Sequence, residues 1–394
     1  MKIITLFVAL LPALTLATPL APEVVETIVA GSCLRQSQPQ PVWRAILAAQ
    51  PDLFIAMGDN VYADTVDPEA MRSAYGRLGE NPDYRALRER VPVLVTWDDH
   101  DYGANDAGAD YPMRQESQRI FADFFELPGD SPVRTRQGVY DAHAFGPPGR
   151  RVQVILLDTR YFRGTLRRGP PSIDCPRGRY VPNEDPGTTM LGETQWTWLA
   201  DQLREPADLR LLVSSIQVLP EEHCFEKWAN LPHERERLFH LVRETGAHGV
   251  VILSGDRHYA EISRLPAEAI GYPLYELTAS SLNAPGGPAS EPNRHRVTGE
   301  GVPEANFGVV RIDWSQHDPA VSLEVRAVDG RVVLSRDVPI GALRFDAAYG
   351  GDGVVLRGDP ALKRGPRVER ATLPQRAADV PSTDEPRKGE ARGE

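Results

Sequence analysis

Short apolar runs recur along the chain, each closed by a polar cluster, and between them lie segments whose apolar positions repeat at helical spacing. ETIVAGSC reads as a strand entering a tight turn, PVWRAILAAQ as the helix behind it, and PDLFIAM as a second strand ending at GDNVYAD. DPEAMRSAYGRLGE and PDYRALRER carry helical spacing, and VPVLVTW is a third strand running into DDHDYGAND. An amphipathic helix is predicted from Arg114 to Phe125, then paired strands VYDAHAF and RRVQVILLDTR, then a helix opened by LGETQWTWLADQLRE. DLRLLVSSIQV, HERERLFHLVRETG and HGVVILSGDRHYAEIS continue the alternation of strand and helix, which predicts an α/β fold. From Tyr272 onward the pattern is strand and loop: YPLYELTAS, a Gly/Pro/Ser loop at 284–292, NFGVVRIDW, AVSLEVRAV and RVVLSRDV.

The 394 residues, 41% hydrophobic and 25% charged, are ample for a large core. A net charge of -11 argues against nucleic acid or an anionic membrane as a sequence-independent partner, since either needs a basic face. Residues 1–17, MKIITLFVALLPALTLA, match a Sec signal peptide, with no twin arginine before the apolar run, no lipoprotein cysteine after it and too short a run for a span. The expectation is a secreted or periplasmic protein, a monomer with no membrane span after cleavage. Residues 18–345 are read as one domain and 360–394, poor in apolar positions, as a disordered tail. Export makes three cysteines an odd count.

The polar clusters GSC, GDNVY, DDHDYGAND, LDTR and GDRH all fall at the carboxyl ends of predicted strands, which meet in one ligand-binding crevice in α/β sheets. Their side chains suit metal ions. Asp59 and Asp256 offer hard oxygens, His258 a borderline nitrogen, Tyr62 a phenolate and Cys33 a thiolate, and the last two together favour a trivalent ion. Asp59 and Tyr62 are three residues apart and Asp256 and His258 two apart, so each pair can share a face, a pattern suited to two adjacent metals bridged by one carboxylate. Such cations explain why Asp98, Asp99, Asp101 and Asp106 can crowd around His100.

These motifs, in order over residues 28–340, resemble the alkaline phosphatase D, or PhoD-like, metallophosphatases: GSC, GDNVYAD, TWDDHDYGAND, LDTRYFR, LGETQWTWL, WANLPHERERL and SGDRHYAEI. The resemblance implies a single-domain, four-layer αββα sandwich that hydrolyses phosphate esters with Fe(3+) and Ca(2+). It carries the ferric ligands onto Cys33, Asp59, Tyr62 and His258, and the calcium side onto Asp59, Asn105 and Asp256. In DDHD it aligns Asp99 with a metal-side position and His100 with the histidine that faces substrate. Gln217 and His223 stand near where related folds place a further histidine, and Gln217 is read as supporting a ligand; His143, His233, His240, His248, His295 and His317 lack acidic or cysteine context.

The expected mechanism is in-line attack on phosphorus by a hydroxide bridging the metals, with His100 hydrogen-bonding the phosphoryl group or protonating the leaving alkoxide. Arg160 has two readings, a bidentate phosphate clamp or a brace paired with Asp158 or the DDHD acids. Asp98 and Asp101 are read as partners of Arg160 or His100, and Asp106 as a turn residue. A rival of another class is a secreted calcium-binding recognition module with an inactive hydrolase-like core. Cys175 and Cys224 lie in irregular segments over the carboxyl edge of the sheet and are expected to pair, leaving Cys33 with the metal candidates.

Overall fold

The computed structural model describes residues 23–345 except 174, 177, 287–289 and 298. The expected signal peptide and the tail at 360–394 lie outside the described residues.

The first part of the chain forms β1 (Thr27–Gly31), α1 (Val42–Ala48), β2 (Leu53–Met57), α2 (Pro68–Gly79), α3 (Pro82–Arg88) and β3 (Val93–Thr96). Next come the single turn α4 (Asp99–Tyr102), α5 (Arg114–Phe124), β4 (Asp141–Phe145) and β5 (Val152–Leu156). The two-residue strands β6 (Arg167–Arg168) and β7 (Tyr180–Val181) precede α6 (Gly192–Arg204), β8 (Leu209–Ser214) and α7 (Pro232–Thr245). β9 (Val250–Ser254), β10 (Ala260–Leu265), β11 (Leu274–Ala279), β12 (Asn306–Asp313), β13 (Ala320–Ala327) and β14 (Val332–Pro339) complete the series.

Two six-stranded sheets result, in the orders β14-β13-β12-β1-β2-β3 and β10-β11-β9-β8-β5-β4. β1, β2 and β3 are mutually parallel, as are β5, β8, β9 and β11, and the outer strands pair antiparallel. Strand alternation divides the first sheet cleanly. Ile28, Ala30, Leu53, Ile55 and Met57 point inward against Val154, Leu211, Val213 and Leu253 of the second sheet, in one buried cluster. Val29, Phe54, Ala56 and Val95 point outward against Trp43, Tyr75, Leu78 and Tyr84 of the first helical layer. On the far side Trp196, Leu199 and Leu203 of α6 and Leu238, Phe239 and Val242 of α7 close the second sheet. The layers are therefore helix, sheet, sheet, helix, as expected.

Helix boundaries follow local chemistry. Asp67 and Asn81 cap α2 and α3 by accepting from backbone N–H groups of the first turn, each followed by proline. Gly246, at φ 65°, ends α7 in the left-handed conformation. Three details differ from the sequence reading. DDHDY winds into α4, the stretch from Gly249 to Ser263 splits into β9 and β10 around a turn, and the segment after LDTRYFR contains the β6–β7 hairpin.

At the carboxyl edge the two sheets are tied together. Ser32, after β1, bridges to Ser280, after β11. Thr96, ending β3, donates its hydroxyl to the Leu157 carbonyl at 2.9 Å.

Candidate metal centre

The loops after β1, β2, α4 and β9 are built of tight, strained backbone. Cys33 (φ 59°), Asp59 (51°), Asp64 (44°), Asp106 (55°), Asp256 (67°) and His258 (58°) occupy the positive-φ region that non-glycine residues avoid. Such strain collects where side chains must be aimed. Gly58 makes the β2 turn possible: it sits at φ 101°, and a Cβ there would lie 2.6 Å from Cβ of Asp98. The turn is then clamped by Asp101. Its carboxylate accepts from the backbone N–H groups of Asp59 (3.1 Å), Asn60 (3.2 Å) and Asp98 (2.7 Å) and from the Asn60 side chain (2.6 Å).

Four sets of potential ligand atoms, each within 4.8 Å of one another, overlap into one chain: Cys33, Asp59 and His258; Asp59, Asp99 and His100; Asp98, Asp99 and Asp256; Asp99, Asp106 and Glu226. Tyr62 joins the first set, its hydroxyl 2.9 Å from Nε2 of His258. Cys33 Sγ lies 3.5 Å from Oδ2 of Asp59 and 3.1 Å from Oγ of Ser280, which also accepts from the His258 N–H at 2.8 Å. Cys33, Asp59, Tyr62 and His258 thus come from three separate loops to one point, and Asp59 and Asp99 link that point to Asp256.

The charges of this arrangement ask for cations. Asp59 and Asp256 are held well above the usual carboxylate range, first by burial and then by their acidic neighbours. Burial raises Asp98 to about 6, against the pull of Arg160, and Asp101 to about 7. It raises Glu226 to about 8 and the Cys33 thiol to about 11, and pushes the Tyr62 phenol up as well. Oδ2 of Asp98, Oδ1 of Asp99 and Oδ2 of Asp256 are buried and accept no hydrogen bond. Protons or metal ions must supply the missing positive charge, and a donor set of thiolate, phenolate, imidazole and shared carboxylates fits metal ions.

His100 faces this centre from α4. Its ring stacks on Tyr62, centroids 4.1 Å apart, and Nδ1 lies 2.8 Å from both carboxylate oxygens of Asp64. Burial alone would lower its pKa; the Asp64 hydrogen bond together with the charges of Asp99 and Asp64 raises it to about 9.

Asn105 is exposed, and its neighbour Asp106, read as a turn residue, belongs to the fourth set and donates its N–H to Asp99 at 2.7 Å. Arg160 is wholly buried beneath the acids, its guanidinium 2.5 Å from both Asp98 and Glu226, so the geometry matches its reading as a brace. Gln217 donates to Glu261 at 2.8 Å and to Thr278 at 2.9 Å. His223 is buried, its Nδ1 accepting from the Phe225 N–H, and burial with the nearby Arg257 charge holds it well below the usual histidine range. Cys175 and Cys224 form the expected disulfide and Cys33 is a free, buried thiol. Sequence reasoning missed Asp64 and Glu226: neither ends a strand, and only the fold brings them to the cluster.

The sequence model of the PhoD-like phosphatases matches residues 28–323. Alkaline phosphatase D of Bacillus subtilis (strain 168) is 22% identical over 269 residues, a match covering 59% of this chain and 42% of that protein. The chain therefore spans about two fifths of the length of this curated relative. The solved structure of PhoD superposes with a TM-score of 0.65 at 18% identity, over 86% of this chain and 75% of that one. GAP50, the anchor in the inner membrane complex of Plasmodium, superposes with a TM-score of 0.52 at 11% identity, over 80% of this chain and 89% of that one. At such identities the two structures speak for the fold alone, whereas the family match covers most of the chain with its motifs in order: this protein belongs to the PhoD-like phosphatase family.

Proposed function

We propose that the protein is an exported, metal-dependent hydrolase of phosphate esters. The observation that carries this reading is the convergence of Cys33, Asp59, Tyr62 and His258, joined through Asp59 and Asp99 to Asp256. The first four would hold Fe(3+), because thiolate and phenolate suit a small, highly charged ion. Asp59, Asp99 and Asp256, all oxygen donors, would hold Ca(2+), with the Asp106 carboxylate close to Asp99 and Asn105 as a further oxygen donor from the same loop. Bound there, the ions supply Lewis acidity, lowering the pKa of water and drawing charge from phosphoryl oxygens.

The chain's own residues do the rest. His100, protonated on Nδ1 toward Asp64, directs its other N–H toward the leaving-group oxygen and delivers a proton to the departing alkoxide. Asp64 keeps the imidazole in that orientation, and the stacked Tyr62 ring limits its rotation. Arg160, paired with Asp98 and Glu226, holds the floor of acids together. Export is supported by the signal-like residues 1–17 and by a disulfide, which persists in oxidising compartments. Among the described residues no helix is long and apolar enough to cross a membrane.

Metal analysis, a visible spectrum and a panel of phosphate mono- and diesters test the reading. Iron-loaded protein is expected to be coloured by a phenolate-to-iron charge-transfer band that Tyr62→Phe abolishes, and to turn over at least one ester. A colourless, calcium-only protein with no turnover would instead be a recognition module with an inactive core.

A further inference from the structure

One wall of the site is an arm that the metal chemistry does not use. It consists of the strands β6 and β7, paired antiparallel, and is cross-linked by Cys175–Cys224 to the loop after β8. The arm grips the centre directly. Tyr180 donates its hydroxyl to Asp106 at 2.7 Å, and Arg168 stacks on the Tyr180 ring at 4.0 Å with its guanidinium 3.5 Å from the same carboxylate. Arg167, Arg168 and Arg179 are exposed on it, a local concentration of positive charge on a chain of net charge -11.

Beside the cross-link stands Phe225. It is 47% exposed, and among the exposed large apolar side chains described, with Val66, Ile173 and Val332, it is the aromatic one. Its backbone is held on both sides: the N–H donates to Nδ1 of His223 at 3.3 Å, and the carbonyl accepts from Nζ of Lys227 at 2.8 Å. One face of the ring is covered by the Arg257 guanidinium at 4.0 Å. That guanidinium also lies 3.7 Å from Asp256, so a single side chain separates the ring from the metal-facing acids. An exposed ring on a pinned, cross-linked loop is a preformed contact surface.

We propose that this wall recognises nucleotide-type phosphate esters, with the exposed part of the Phe225 ring stacking on the planar base of the leaving group and the arginines of the arm receiving further phosphate charge. The proposal rests on the phosphate-ester reading and adds the substrate class. Stacking rings beside a cationic track is how proteins hold nucleotides without reading their sequence. The Arg257 charge over the ring makes it a poor partner for a quaternary ammonium group, since one cation already uses the ring's electrons. An acyl chain needs an apolar groove, and the charged Arg257 guanidinium covers one face of this ring.

Adenosine 5′-monophosphate, ribose 5-phosphate and hexyl phosphate have the same kind of leaving group, a primary alkoxide, and differ in what it carries. The metal-loaded protein is expected to favour the adenosine ester over ribose 5-phosphate, mainly in KM. The ratio of kcat/KM for these two is expected to fall about 5- to 100-fold in Phe225→Ala and to be retained in Phe225→Trp. Equal losses on all three esters, a ratio unchanged in Phe225→Ala, or a larger loss on hexyl phosphate would each overturn the platform. Should none of the esters turn over, the hydrolase reading fails for monoesters. Calorimetric dissociation constants for the adenosine and ribose esters then decide the platform separately: a preference removed by Phe225→Ala keeps it, and no preference removes it.

Discussion

Asp64 holds His100: both carboxylate oxygens lie 2.8 Å from Nδ1, and Asp64 takes a strained φ of 44° to reach it. The pair sets a pH profile. A general acid must be protonated, and with a pKa raised to about 9 His100 keeps its proton through neutral pH and loses it above that value. In Asp64→Asn the hydrogen-bond geometry is approximated but the negative charge is gone. The alkaline limb of log kcat against pH is expected to move to lower pH in the metal-loaded variant, so kcat falls most on the alkaline side. An unmoved alkaline limb would separate His100 from the proton transfer.

Asp59 belongs both to the Cys33–His258 set and to the Asp99–His100 set. Asp59→Ala is therefore expected to lose both metals and essentially all activity. His100→Ala, which removes no expected ligand, should keep the metals and lose about 100- to 10,000-fold in rate. Metal content of the two purified variants decides this, and full stoichiometry in Asp59→Ala would refute the shared-carboxylate assignment.

The metal-free protein should lose stability as pH rises. Asp98, Asp101 and Glu226 have folded values near 6, 7 and 8, above the usual 3.8, 3.8 and 4.5, so between those limits the folded state binds more protons than the unfolded chain. Their stabilisation is fully present below about pH 4 and is lost as pH passes through each raised value; His100, raised to about 9, acts in the same direction. Asp99, lowered by Arg160 and His100 despite burial, opposes the trend in acid. His258, lowered by burial to about 4, opposes it up to about pH 6.5, and Lys227, lowered by burial to about 7, opposes it above that value. The raised groups, which include Asp59, Asp256 and Glu276, outnumber them. Melting of chelator-treated protein between pH 5 and 9 should show a falling Tm. Metal ions, by replacing the protons, should flatten the slope. A Tm of the chelated protein that rises toward pH 9 would contradict the charge balance derived for the site.

The frame of the site was legible because each strand advertises itself by apolar runs and each ligand loop begins where a run stops, as at Met57 before Gly58 and Ser254 before Gly255. The role of DDHDY was only half legible. Asp101 looked like an ion-pair partner, but in a helical turn its carboxylate points back at the N–H groups of Asp59 and Asn60, a relation set by three-dimensional closure of the β2 loop. Glu226 and Asp64 were invisible for a similar reason. An acid in an irregular loop carries no periodic signal, and its partners, Arg160 and His100, are distant in sequence or separated from it by two helices. Arg160 illustrates the reverse problem: guanidinium chemistry suits phosphate and carboxylate alike, and only burial between Asp98 and Glu226 separates the readings.

The cysteines divide into one cross-link and one thiol, and each has its own expected behaviour. Cys175 and Cys224 are 49 residues apart, and closing such a loop contributes about 4 kcal/mol in the chain-entropy model. Reduction, or the double change Cys175→Ser with Cys224→Ser, should lower Tm by about 5–10 °C, and reductant should have no further effect on the double variant. Cys33 is fully buried with its thiol pushed up to about 11, so in the folded, metal-free protein it should resist alkylation and react only after denaturation. With metal bound it would be held as thiolate, and alkylation would require both unfolding and metal removal. Peptide mapping under non-reducing conditions reads all of this at once. A disulfide containing Cys33 in the active protein would contradict both the thiol's position beside Asp59 and its proposed place among the iron ligands.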